Sequence, residues 1–236
     1  MEGNYPVVHN EELAAHLNTV AARILSLFPP HQRRIRIILI DTPEAESFSI
    51  APERIYVTRR MITLLENDDE LAGLLGHEVG HILTHQNAII VSQLFHEILG
   101  VKSVSDRKDI SEKFARLFDS IDRNRKMLRK AAQVVDRQEG VHQYEADRIA
   151  LYASAAAGFS PQAFVDLFKR SETNGSAGNL MTDFFAATTS NERRLREINK
   201  TLRQLPGPCR EIGAASSKEF RAWQAAVLSY PDLASE

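Results

Sequence analysis

Hydrophobic positions between residues 67 and 87 repeat with the period of an α-helix. Asn67 is a residue type that caps helix N-termini, and Glu70 stands three residues later, where it completes a capping box. Asp68 and Asp69 add negative charge at the end where the helix dipole favours it. We therefore predict a helix with one buried face that begins at Asn67. Its apolar positions are Leu71, Leu74, Leu75, Val79, Ile82 and Leu83.

Glycines interrupt this helix at Gly73, Gly76 and Gly80. Each glycine in a helix interior is less favourable than alanine by about 1 kcal/mol. Three such residues in one helix indicate close packing against it. The simplest partner is the backbone of another element.

The rest of the pattern predicts an α+β fold that is mostly helical, with a small antiparallel sheet of three or four strands over the 67–87 helix. Further helices are expected at about residues 10–28, 60–66, 140–157, 161–170, 191–205 and 217–229, with a charged helical pair at about 101–140. Strands are expected at residues 34–40, 47–50 and 54–58, the last two as a hairpin, and a mobile loop at 171–179.

Breakers along the chain predict its division into domains. Pro206-Gly207-Pro208 stops the helical pattern that ends near residue 205. We expect one domain over residues 1–205, with the pair at about 101–140 as a helical insertion, and a C-terminal helical extension over residues 206–236.

The chain has 236 residues, of which 43% are hydrophobic and 25% are charged. This composition is typical of globular proteins. Lysine and arginine number 29 against 31 acidic residues, a near balance that argues against a general nucleic-acid or anionic-membrane surface. Cys209 is the one cysteine, which excludes an internal disulfide and a thiolate-rich zinc site.

Neither a leader nor a membrane span is predicted. The first six residues lack the basic segment and apolar run of a signal peptide. No window approaches the roughly 18–20 uninterrupted apolar residues that a membrane span needs. These observations leave the compartment open.

The 67–87 stretch contains the motif H-E-x-x-H as His77-Glu78-Val79-Gly80-His81. On a helix, His77 and His81 lie one above the other, so both rings can reach one metal ion. Glu78 lies about 100° around the helix, where it can hold a water without being a ligand. The competing interpretation is a pair of buried histidines in the core. A second element that completes a metal site would decide between them.

Residues around this motif resemble a known family. N-D-D-E-L-A precedes H-E-V-G-H, and Y-E-A-D-R-I-A-L-Y and A-G-F-S-P follow some sixty residues later. The piece F-S-I-A-P-E-R-I-Y-V-T-R, residues 48–59, is similar to the hairpin before the metal helix in the same family. Over roughly residues 35–200 the chain resembles the HtpX and CAAX-prenyl-protease family of gluzincin zinc metallopeptidases. The resemblance implies a zincin-like domain and one zinc ion.

The same resemblance implies the ligands. In the family two histidines and a glutamate hold zinc, and an aspartate four residues after that glutamate braces a ligand histidine. Here His77 and His81 match the histidines, Asp147 matches the brace, and Gln143 stands at the position of the glutamate. One interpretation is that Gln143 binds zinc weakly through its neutral amide oxygen. The other is that Gln143 is a natural or introduced change that disables the metal site.

Neighbouring residues offer substitutes for the missing carboxylate. Glu145 is turned about 160–200° from Gln143 on a helix, so one ion cannot take both, and we expect Glu145 to be exposed or to act indirectly. Glu139 and His142 are alternatives if this helix starts late.

A second departure lies before the 191–205 helix. Members that resemble this chain have Thr-His-Pro there, whereas Thr188 or Thr189 occupies the place of that histidine. Arg193 and Arg194 follow. Their default interpretation is a solvated helix face, and the alternative is an arginine that faces the cleft.

The implied activity is hydrolysis of peptide bonds. Zinc polarises the peptide carbonyl and acidifies water, while Glu78 takes the water's proton and returns it to the leaving amine. We expect an endopeptidase for unfolded or damaged polypeptides, with no nucleic-acid partner. The first alternative is a weakened member that binds polypeptides as an adaptor or chaperone, because of Gln143 and the missing histidine. The second is a zinc protein that is not a peptidase.

Overall fold

The structure is a computed structural model. It describes residues 6–30, 33–50, 54–84, 86–100, 112–113, 116, 143–173, 191–212 and 217–231. Most of the predicted helical pair at 101–140 lies outside these residues, as do residues 174–179 of the predicted loop.

Helices dominate the described residues, as the sequence predicts. The helices are α1 (Glu11–Leu25), α2 (Arg59–Ile62), α3 (Asp68–Leu83), α4 (Gln86–Leu99), α5 (residues 143–156), α6 (Pro161–Thr173), α7 (Asn191–Gln204), α8 (Gly207–Arg210) and α9 (Lys218–Ser229). The strands are β1 (Arg36–Ile40), β2 (Ser47–Ile50) and β3 (Arg54–Thr58). The predicted loop at 171–179 starts too early, because α6 continues to Thr173.

The sheet is mixed, which corrects the prediction of an antiparallel one. In the described part of the chain its order is β1-β3-β2, with β2 and β3 antiparallel and β1 and β3 parallel. The short connection at residues 51–53 makes a hairpin of β2 and β3. The chain leaves β1, passes to the far side of the sheet for β2, and returns through the middle as β3. Strand β1 therefore pairs with a strand that runs in its own direction.

Helix α3 starts as the sequence predicts, with one difference in its cap. The side chain of Asn67 accepts a hydrogen bond of 2.8 Å from the backbone N–H of Glu70. The carboxylate of Glu70 accepts from the N–H of Glu66 rather than from Asn67. The guanidinium of Arg170 holds this carboxylate through bonds of 2.7 and 2.6 Å, so Glu70 also ties α6 to α3.

The two aspartates of the first turn of α3 connect it to other elements. Asp68 Oδ1 lies 2.6 Å from His16 Nε2 of α1, and the His16 ring stacks on Trp223 of α9. Asp69 Oδ1 accepts a 2.8 Å bond from the backbone N–H of Ser160, just before α6. The acidic turn that the sequence assigns to helix capping and the dipole thus also joins α1 and α6 to the central helix.

Close packing at the glycines is confirmed. A Cβ atom on Gly80 would lie 2.7 Å from Ala146 Cα, and one on Gly76 would lie 3.1 Å from Ala150 Cα. Both alanines belong to α5, so the backbones of α3 and α5 are in direct contact. A Cβ atom on Gly73 would instead meet the Phe164 side chain at 2.7 Å.

Helix α9 packs on the core through Phe220, Trp223 and Val227. The buried Arg59 donates to the backbone carbonyls of Val227, Leu228 and Tyr230 and to the carboxylate of Asp41. These contacts join the C-terminal helix to the start of α2. The predicted division of the chain at residues 205 and 206 stays a prediction.

Candidate metal centre

The two histidines of the H-E-x-x-H motif lie against each other on α3. His77 Nε2 and His81 Nε2 are 2.9 Å apart, with the two rings nearly perpendicular at 86°. His77 is buried, with 1% of its surface exposed, whereas His81 is half-buried. The helical spacing thus brings both Nε2 atoms to one point, as the sequence predicts.

Asp147 of α5 lies at ion-pair distance from the other ring nitrogen of His77. Its Oδ1 atom lies 2.9 Å from His77 Nδ1. The contact follows from the packing of the two helices, because Asp147 is adjacent in sequence to Ala146, whose backbone lies against Gly80. An N–H donated from Nδ1 to a carboxylate leaves the Nε2 lone pair free to bind a metal.

Arg194 of α7 holds Asp147 in turn. Arg194 Nε donates to Asp147 Oδ2 at 2.8 Å, and Nη2 donates to Oδ1 at 2.7 Å. Burial alone raises the pKa of the Asp147 carboxyl, but the charge and hydrogen bonds of Arg194, with a smaller effect of His77, hold that pKa well below its usual range. Asp147 is therefore an ionised carboxylate in the folded protein at neutral pH.

Glu78 points toward the sheet. Its Oε1 atom accepts a 2.8 Å hydrogen bond from Ser47 Oγ of β2, and both residues are buried. Its Oε2 atom is buried and has no hydrogen-bond partner among the residues that the structure describes. Burial raises the pKa of the Glu78 carboxyl, against the opposing effects of nearby His77 and of hydrogen bonds from Ser47 and Ser49.

Gln143 lies at the start of α5 and is 7% exposed. It stands one helical turn before Asp147, on the same face of the helix. Its Oε1 atom is buried, and no described residue forms a hydrogen bond with it. A buried carbonyl oxygen without a partner is unfavourable by about 1–3 kcal/mol, so such an atom points to a missing partner.

Of the substitutes proposed for Gln143, Glu145 is the one that the structure describes. Glu145 is exposed on α5, in keeping with its helical angle from Gln143. Glu139 and His142 lie outside the described residues, as do Thr188 and Thr189. Within the described ranges, no group of three His, Cys, Asp or Glu side chains is placed to hold a metal ion.

Two contacts of this site were not predicted. No sequence feature predicted the contact of Ser47 with Glu78, except that Ser47 lies in a strand close to the motif. Arg194 was assigned by default to a solvated helix face, and that assignment is wrong for Arg194 but correct for the exposed Arg193. Arg194 lies four residues before the buried Ile198, and this spacing on one face was a usable signal.

Comparison with known proteins identifies the family. The family model described as Peptidase family M48 matches residues 8–202, which is most of the chain. The chain belongs to peptidase family M48. This match confirms the resemblance to HtpX-type members of the family.

A curated relative of this M48 chain is the Protease HtpX homolog of Thermoplasma volcanium. The two are 34% identical over 73 residues, a match that covers 30% of this chain and 22% of the relative. The chain thus aligns with less than a quarter of that protein. Among the described helices, none has the length and apolar character needed to cross a bilayer.

Proposed function

We propose that this M48 chain is a zinc-dependent endopeptidase with a zincin-like centre on α3, in which Gln143 replaces an anionic ligand. The observation that supports this most is the meeting of His77 Nε2 and His81 Nε2 at 2.9 Å, together with a buried, unpartnered oxygen on Gln143. Two imidazole nitrogens and one oxygen are a donor set that zinc accepts.

The chemistry of the three donor groups suits a zinc ion, and it predicts weak binding. His77 and His81 would bind it through Nε2, and Gln143 through Oε1. An amide oxygen is neutral, so the site would be one charge more positive than a site with a glutamate. We expect a lower zinc affinity than a His2Glu site would have, because a carboxylate is the stronger ligand for a divalent cation.

When bound, the zinc ion supplies Lewis acidity that polarises the peptide carbonyl and lowers the pKa of water. Glu78 is the general base: its Oε2 atom takes the proton of the attacking water and later gives it to the leaving amine. Ser47 holds the other carboxylate oxygen, so Glu78 keeps one orientation during both transfers.

The substrate that this site suits is an extended polypeptide. In the described sheet β2 has β3 on one side only, and Ser47 of β2 touches Glu78. An extended chain pairing with this edge would pass beside the general base and would be bound through main-chain hydrogen bonds. Such binding needs an unfolded segment and depends little on the side chains of the substrate. Unfolded or damaged proteins are therefore the favoured substrates.

Gln143 also favours a second candidate function. A centre that holds zinc poorly would retain the β2 edge as a binding site for extended chains while it hydrolyses them slowly or not at all. The chain would then act as a polypeptide-binding adaptor or chaperone. The relative amounts of binding and cleavage separate the two functions.

Digestion of unfolded casein tests the proposal. The native chain, Gln143→Glu, and Gln143→Glu combined with Glu78→Gln are compared with zinc added, and internal fragments are identified by mass spectrometry. We expect slow cleavage by the native chain, at least about 10-fold faster cleavage by Gln143→Glu, and a loss of about 100-fold or more when Glu78→Gln is added. Casein that is bound but cleaved by neither Gln143→Glu nor the native chain would contradict the peptidase and support the adaptor. Cleavage that survives Glu78→Gln would contradict the assigned base.

A further inference from the structure

We propose that Arg194 is a positioning residue of the metal centre, which acts on the His77 ring through Asp147; the inference rests on the proposed function. The two contacts share one atom. Asp147 Oδ1 lies 2.7 Å from Arg194 Nη2 and 2.9 Å from His77 Nδ1. A residue that fixes the position of Asp147 Oδ1 therefore also limits the orientation of the His77 ring.

The guanidinium fixes the whole carboxylate plane. A carboxylate that touches only His77 can turn about its Cβ–Cγ bond and exchange its two oxygens. Two parallel hydrogen bonds, at 2.8 Å to Oδ2 and 2.7 Å to Oδ1, prevent that rotation. Lysine cannot replace this fork, because an ammonium group is a single point of charge.

Arg194 is itself held in place. No part of its surface is exposed, and its Cζ atom lies 5.0 Å from the centre of the Phe168 ring of α6. The guanidinium is thus sandwiched between α5 and α6 while its own backbone belongs to α7. Three helices beyond α3 therefore determine the orientation of one histidine of α3.

The consequence for the centre is a choice of tautomer. With Asp147 fixed, the His77 proton stays on Nδ1, and Nε2 presents its lone pair toward His81. Without Arg194, the buried carboxylate loses the partner that orients it, and both the His77 ring and its tautomer become less defined. Zinc affinity should fall, because the ligand is no longer preorganised.

Zinc affinity of folded variants tests this inference, in the Gln143→Glu background and with a chromophoric chelator as competitor. Arg194→Met should weaken zinc binding by about 10-fold or more, the effect expected of a residue that orients a ligand. Arg194→Lys should give a smaller loss. The double variant Arg194→Met/Asp147→Asn should bind zinc about as weakly as the weaker of the two single variants, because the two residues act as one unit. Arg193→Met, at an exposed neighbouring position, should change nothing.

Two controls separate positioning from stability. Ile198→Ala removes a buried side chain from the same helix and should lower stability while it leaves zinc affinity within about 3-fold of the parent. Nitrogen-15 spectra of the metal-free proteins report the histidine tautomers directly. We expect the Nδ1–H form of His77 in the parent and in Arg193→Met, and a mixture in Arg194→Lys, which serves if Arg194→Met does not fold.

The outcomes are distinguishable from those of the proposed function. Equal zinc affinity in the parent and in the Arg194 variants, or an equal loss in Ile198→Ala, would overturn the positioning role alone. An unchanged His77 tautomer in the Arg194 variants would also overturn it. If the Gln143→Glu parent bound no zinc, the proposed function would fall, and this inference with it.

Discussion

The backbone of Gly80 lies directly against Ala146: a Cβ atom on Gly80 would stand 2.7 Å from Ala146 Cα. This contact places α5 beside α3 at the level of the H-E-x-x-H motif. Asp147 follows Ala146 at once, and its carboxylate reaches His77. Gly80, the second variable residue of the motif, therefore lets α5 approach α3 closely enough for Asp147 to reach His77.

Adding a methyl group at Gly80 should separate the two helices. Gly80→Ala gains about 1 kcal/mol of helix propensity, but overpacking against a backbone is unfavourable by about 1–3 kcal/mol, so we expect a net loss of up to about 2 kcal/mol in the free energy of unfolding. Gly76→Ala should lower the free energy of unfolding less, because a Cβ atom there would lie 3.1 Å from Ala150 Cα. Chemical denaturation measures both. Gly207→Ala is the control, since the nearest atom there is 4.0 Å away. A Gly80→Ala variant as stable as this control would contradict the contact.

The ion pair of Asp147 and Arg194 predicts a pH dependence of stability. The pKa of Asp147 in the folded protein lies below its unfolded value of about 3.9, so its stabilisation is fully present above that pH and is lost as the pH falls below it. Asp147→Asn should lower the free energy of unfolding by about 3–5 kcal/mol at pH 7, because it leaves a buried guanidinium without its counter-charge. The difference between the native chain and this variant should shrink below about pH 4. A difference that stayed constant down to pH 2 would show that the carboxylate is not held in its ionised form.

Ser47 should matter for turnover more than for substrate binding. Ser47→Ala removes the hydrogen bond to Glu78 Oε1, and the carboxylate is then held less firmly in its orientation. In the Gln143→Glu background we expect kcat to fall about 10-fold, the effect of losing one hydrogen bond to a charged group, with little change in KM. Ser47→Thr keeps the hydroxyl and should keep most of kcat. Equal kcat for the alanine variant and its parent would show that Glu78 is oriented without Ser47.

Arg59 should stabilise the docking of the C-terminal helix. Arg59→Met leaves the carbonyls of Val227, Leu228 and Tyr230 and the Asp41 carboxylate without their donor. Loss of one partner of a buried charged pair lowers the free energy of unfolding by about 3–5 kcal/mol. Hydrogen exchange should also become faster along α9. Arg60→Met, at the exposed neighbouring position, should have neither effect, and similar results for the two variants would contradict the role of Arg59.

Local signals explain why much of the fold was predictable. The apolar stripe of α3 and its Asn67 cap lie within one continuous stretch, and they gave both the helix and its start. The three residues between β2 and β3 likewise gave the hairpin. The parallel pairing of β1 with β3 was missed, because it depends on where the chain passes after Asp41 and not on the strands themselves.

The contacts of the candidate site were predictable where the residues lie in a motif. Helical spacing brought His77 and His81 together, and the resemblance led to Gln143 and Asp147. Arg194 was missed because it lies 47 residues beyond Asp147 on a strongly polar helix, where one buried arginine looks like its exposed neighbours.

Zinc affinity at position 143 tests the central claim most directly. The native chain, Gln143→Glu and Gln143→Ala are freed of metal, titrated with zinc against a competing chelator, and checked for metal content by elemental mass spectrometry. The exposed Glu145→Gln on the same helix is the control. We predict one zinc ion per chain, bound at least about 10-fold more tightly by Gln143→Glu than by the native chain, less tightly by Gln143→Ala, and unchanged by Glu145→Gln. Equal affinity in all four proteins would contradict the claim that His77, His81 and Gln143 form one metal centre.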